Sequence, residues 1–132
     1  MSKLVRIAVA VVIGLVVWTV VATLGNFVLR VAIPGYRAEE IVVAYSLVAQ
    51  VGRLALGVLS TAAAAAITVI VSRGSSSAAL ALGCVLLVMF VPVHVSLWHK
   101  FPVWYHLFFL GSLPLVPYVV GKAMASRRSA EP

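Results

Sequence analysis

Apolar residues run along this chain in four long blocks separated by short polar stretches. The first covers about Leu4 to Leu29, the second Ile41 to Val71, the third about Ala78 to Trp98 and the fourth about Val103 to Ala125. A bilayer core about 30 Å thick is crossed by about 20 helical residues, and each block meets that length. Lipid offers no water to open backbone groups, so each block is predicted to be an α-helix. The fold class that follows is all-α transmembrane: one domain over residues 1–132, an antiparallel bundle of four membrane-spanning helices with both termini cytoplasmic.

The breaks between blocks carry turn chemistry. Arg30 to Glu40 holds the dipeptide Pro34-Gly35, Arg73-Gly74-Ser75-Ser76-Ser77 closes the second block, and His99-Lys100-Phe101-Pro102 closes the third. Ile41 to Val71 is too long for the core alone, at about 45 Å of helix. It is expected to tilt strongly, protrude, or begin outside the hydrocarbon. The tail Ser126 to Pro132 is short and expected to be mobile.

Composition supports lipid as the solvent. The chain is 64% hydrophobic and 10% charged, against about 45–50% and about 25% for an ordinary soluble domain. Lys3 and Arg6 precede a hydrophobic run as in a signal peptide, but Ile7 to Leu29 is longer than a signal core and is expected to stay as a helix. The net charge of +7 does not indicate nucleic acid, because the cations flank apolar runs and read as topology signals and headgroup contacts. Lys3, Arg6, Arg73, Lys122, Arg127 and Arg128 fall on the terminal side, Arg30, Arg37 and Lys100 on the other. That excess places the termini inside. Tyr36, Trp98, Trp104 and Tyr105 fall at the outer boundaries, where amphipathic rings prefer to sit, while Trp18 lies mid-segment and is expected to pack on a neighbour or lipid. The compact size and short connections suggest a bacterial inner membrane.

The polar residues inside the blocks gather towards one end. Ser46, Gln50, Arg53, Gly57, Ser60 and Ala64 recur at steps of four and three, which keeps them on one helical face. Thr19, Thr23, Asn26 and Arg30 do the same in the first block. Adding Glu39, Glu40, His94, His99 and His106, the candidate outer polar cluster is Asn26, Arg30, Glu39, Glu40, Gln50, Arg53, His94, His99 and His106. Its co-location suggests an outward-facing polar pocket. Arg53 lies about 27 Å of helix from Val71, near the outer edge of the core, where an anchoring role competes with a packed functional one.

Imidazole suits zinc, copper and haem iron, which makes His94 and His106 weak metal candidates. Their spacing supports this poorly, and hydrogen-bonded boundary histidines are the plainer reading. Pro114 and Pro117 in the fourth block each remove a helical hydrogen bond and are expected to kink it. Cys84 is the single cysteine, so there is no intrachain disulfide and no CxxC motif. P-loop, Rossmann, HExxH and GxSxG patterns are all missing, as is aspartate. Small multidrug-resistance transporters need a carboxylate in the first helix, and Leu4 to Leu29 has none. Membrane disulfide reductases need cysteine pairs.

The sequence therefore points to a small multi-pass membrane protein with no assignable biochemical activity. A non-enzymatic structural or interaction protein, working through the lipid bilayer, a homo-oligomer or a membrane-protein partner, leads. An oligomeric transporter or channel subunit is the alternative, and a haem- or metal-binding subunit the third. No cofactor is expected.

Overall fold

A computed structural model describes all of residues 1–132. It is entirely helical: α1 Lys3–Ala32, α2 Tyr36–Val42, α3 Leu47–Val71, α4 Ser76–Ser96 and α5 Val103–Ala130. Of 102 backbone hydrogen bonds, 87 lie within helices, so the long elements satisfy their own polar groups as an apolar solvent would require. Four of them, α1, α3, α4 and α5, are long and apolar enough to cross a membrane.

The structure divides what the hydrophobic pattern joins. Ile41 to Val71 is not one helix: α2 stops at Val42, and α3 starts at Leu47. Val43 adopts a left-handed backbone, φ 51° and ψ 46°, uncommon for a β-branched residue. The Ala44 N–H returns to the Glu39 carbonyl at 3.0 Å, closing α2. Ser46 then caps α3, its hydroxyl accepting the Ala49 N–H. The excess length of the second block is thus a short separate helix laid across the end of the bundle.

Contacts fix the arrangement of the long helices. Gly14 meets Thr68 and Gly25 meets Leu56, so α1 and α3 run antiparallel. His94 meets His106 and Gly121 meets Ser76, so α4 and α5 do the same. Arg53 with Tyr105 and Gly57 with Phe109 keep a constant offset, which makes α3 and α5 parallel neighbours. The ring order is therefore α1, α3, α5, α4, with α3 the most enclosed element.

Small residues set the inner half. Ala64, Ala65, Thr61 and Thr68 of α3 are buried, and the Thr61 and Thr68 hydroxyls return to the carbonyls of Gly57 and Ala64 at 2.7 and 2.8 Å. Between α4 and α5 the approach is closer still. A Cβ on Gly83 would lie 2.6 Å from the Leu113 carbonyl oxygen. Pro117 has no N–H to give that carbonyl within the helix, so the freed oxygen faces the glycine instead. α5 nevertheless continues unbroken through Pro114 and Pro117, with Pro117 fully buried against α4.

Burial is shallow elsewhere. Only 26 of 132 residues are buried, and α1 contributes just Ala10 and Gly14. Its outward face, from Leu4 to Val31, is exposed Val, Leu, Ile and Phe.

Candidate functional site

At the end of the bundle opposite the termini, α1 and α3 carry polar residues in their last and first turns, and α2 lies across them. Glu40 of α2 takes a forked pair from Arg30, Nη2 to Oε1 at 2.7 Å and Nε to Oε2 at 2.8 Å. Asn26 donates to the same Oε1 at 3.2 Å. Hydrogen-bonded to Arg30, the Glu40 carboxyl is held below the usual carboxylate range. The chain of bonds continues inward. The Tyr36 hydroxyl donates to Asn26 Oδ1 at 2.8 Å and accepts from Arg53 Nη1 at 2.9 Å. Arg53 Nε reaches the Tyr105 hydroxyl at 3.4 Å, and its guanidinium lies over the Tyr45 ring, 4.6 Å from the centroid. Burial pushes the Tyr45 hydroxyl up from its ordinary value.

Behind this network opens a cleft of about 450 Å³, bordered by α1, α3 and α5 and floored by aromatic rings. Trp18 meets Phe90 at 5.0 Å and Phe90 meets Phe109 at 5.3 Å, centroid to centroid. The Trp18 Nε1–H is satisfied by Thr61 at 3.0 Å, so Trp18 is anchored to protein mid-bundle. Asn26, Arg30, Glu40 and Arg53 line the cleft. Its size falls within the range of small-ligand sites, and its lining has their character, apolar with a few converging polar groups.

The residues grouped from the sequence divide into four places. Asn26, Arg30, Glu40 and Arg53 form the network at the cleft. Glu39 and Gln50 belong to the α2–α3 joint instead: Glu39 Oε2 accepts from the Ser46 N–H and hydroxyl at 3.1 and 3.2 Å, and Gln50 Nε2 donates to the Tyr45 carbonyl at 3.0 Å. His94 and His106 make a separate buried pair, outside the cleft lining. His99 is exposed in the connection between α4 and α5.

The histidine pair has a definite chemistry. His106 Nε2 lies 3.2 Å from the Trp98 carbonyl, which only accepts, so this nitrogen carries the proton. With that tautomer the His106 Nδ1 accepts from His94 Nδ1 across 2.7 Å. A tetrahedral metal holding both nitrogens at about 2.0–2.1 Å would keep them about 3.3 Å apart. The separation seen is that of a hydrogen bond, and no third His, Cys, Asp or Glu joins the pair.

No protein family matches this chain, and neither a curated protein nor a solved structure matches it. The site must be read from its own residues. The sequence pattern missed the parts played by Tyr36, Tyr45 and Tyr105, while Trp18 packs on Phe90 and Thr61 as its mid-segment position suggests. Tyrosine and tryptophan near apolar boundaries read as interfacial anchors, and nothing in their spacing shows that Tyr36 folds back to bridge Asn26 and Arg53.

Proposed function

We propose that this chain crosses a membrane four times, with both termini cytoplasmic, and binds a ligand non-enzymatically in the cleft between α1, α3 and α5. The cleft carries the reading: a cavity of about 450 Å³ with a charged rim and an aromatic floor. The floor matters for mechanism. Trp18, Phe90 and Phe109 give it apolar surface for a ligand's body, and towards the terminal end Gly14, Thr68 and Leu82 pack α1, α3 and α4 together.

The membrane reading rests on the apolar outer faces of the four long helices. The excess of cations on the terminal side sets the orientation. Cysteine mapping in a Cys84→Ala background tests both. An impermeant maleimide should label His99→Cys only from outside and Ser129→Cys only from the cytoplasm; labelling of both from one face overturns the topology. A small thiol reagent should reach Thr23→Cys in the cleft from outside, and a Thr23→Cys that stays unlabelled overturns the cleft as a ligand site.

A second reading is an interaction protein that works through α1, whose face away from the bundle is largely apolar. Blue-native sizing with cross-linking in membranes should then capture a homo-oligomer or a membrane partner. A solitary monomer overturns it.

A further inference from the structure

We infer that the cleft takes an amphiphilic oxyanion, a carboxylate or phosphate on an apolar body, with the charged group on Arg53 and Tyr105 and the body on the Trp18–Phe90–Phe109 floor. This deepens the proposed function and rests on the cleft being a ligand site. Its first ground is charge. Arg30 and Arg53 bring two cations to the cleft and Glu40 one acid. Glu40 is committed to Arg30, the molecule's one ion pair, so Arg53 has no counter-ion.

The second ground is donor accounting. Arg53 spends Nη1 on Tyr36 and Nε on Tyr105, leaving Nη2 with no protein acceptor. The Tyr105 hydroxyl accepts from Arg53, and its own hydrogen has no acceptor either. Both residues line the cleft, which therefore presents unspent donors and a positive charge in one place. An unspent guanidinium Nη2 with an adjacent free hydroxyl is a donor set that carboxylate and phosphate oxygens fit. The stack on Tyr45 and the bond to Tyr36 hold the guanidinium plane, so little ordering remains to be done on binding.

The third ground is the floor. Below the guanidinium the lining is Leu56, Gly57, Trp18, Phe90 and Phe109. A bare inorganic anion leaves that surface uncovered; an acid with an aromatic or aliphatic body covers it. Such an acid arrives either from water or as an anionic lipid from the bilayer.

The test reads Trp18 emission from the full chain, with Trp98→Phe and Trp104→Phe, in phosphatidylcholine nanodiscs. The probes are 4-phenylbutyrate, its neutral analogue 4-phenylbutanol, and phosphatidylglycerol doped into the discs. A saturable response to phenylbutyrate at least about 10-fold tighter than to phenylbutanol is expected, weakened about 10- to 100-fold in Arg53→Gln. A response to phosphatidylglycerol alone, with the same dependence on Arg53, supports the inference and assigns the anion to the bilayer. If Arg53→Gln does not fold, Tyr105→Phe serves, with about fivefold weaker binding expected. Equal binding of acid and alcohol, unmoved by either substitution, overturns the anion and leaves the cleft as a ligand site. Silence of Trp18 towards every probe overturns both.

Discussion

The two ends of this bundle are built on opposite principles. At the terminal end, glycine, alanine and threonine let the helices touch: Gly14 accepts Thr68 and Leu82, Gly83 accepts the Leu113 carbonyl, and Gly121 accepts Ser76. At the other end α1 and α3 still touch, at Gly25 with Leu56 and Gly52 with Leu29, but long polar side chains run across the helices from Asn26 and Arg30 through Glu40 and Tyr36 to Arg53. Close approach excludes everything but backbone and methyl groups, so that half is dry and shut. The polar network borders the cleft, which Asn26, Arg30, Glu40 and Arg53 line. Stability and function are thus allotted to different ends of the same helices.

Substitutions sharpen that contrast, and the largest effect belongs at the dry end. Gly83→Leu places a side chain where the Leu113 oxygen stands 2.6 Å from a Cβ. Neither backbone can yield without parting α4 from α5, and a loss of about 3 kcal/mol is expected on unfolding in detergent. An unchanged midpoint would show that the contact is slack.

The histidine pair comes next. His94→Leu strips the donor from His106 Nδ1 inside a fully buried ring, at a cost of about 2 kcal/mol. Replacing both, His94→Leu with His106→Phe, removes donor and acceptor together and should cost less than the single change. A double variant worse than His94→Leu would show that the Trp98 contact matters more than the pair.

At the polar end the joint is weaker. Ser46→Ala loses the cap of α3 and the hydroxyl that Glu39 accepts, for about 1 kcal/mol. Hydrogen exchange should quicken at residues 43–50 and stay slow around Gly83. Uniform quickening would mean the two ends unfold as one.

The smallest effect is one of pH. Glu40 has a lowered value in the folded protein, so its contribution is fully present above the ordinary carboxylate value of about 4.3 and is lost as pH falls through the folded value below it. Stability of the α2 end should fall in acid, and Glu40→Gln should remove that slope. Both partners are partly exposed, so added salt should weaken the effect as well. Acid sensitivity that persists in Glu40→Gln would place its source elsewhere.

Much of this architecture was legible without coordinates. The four long helices lie where the apolar blocks lie, because hydrophobic length and the need to satisfy backbone groups act on each segment alone. The gathering of Asn26, Arg30 and Arg53 at the end opposite the termini was also visible, since helical spacing puts each stripe on one face, and Glu40 fell at that end with its loop. The break after Val42 was not. Val42-Val43-Ala44-Tyr45 contains no glycine or proline, and the chain turns there because Glu39 reaches Ser46 and Val43 tolerates a left-handed backbone. The expected single cluster of nine divided for a related reason: depth along a helix was readable, but not which neighbour each face meets.

The sequence by itself therefore determined the apolar character and number of the long helices and the end at which polarity collects, all properties summed along a segment. Only the tertiary structure decided the ring order of the helices, the pairing of Glu40 with Arg30, and the guanidinium of Arg53 left without an acid. Those depend on contacts between residues far apart in the chain, Arg53 with Tyr105 and His94 with His106, whose geometry exists only once the helices have packed.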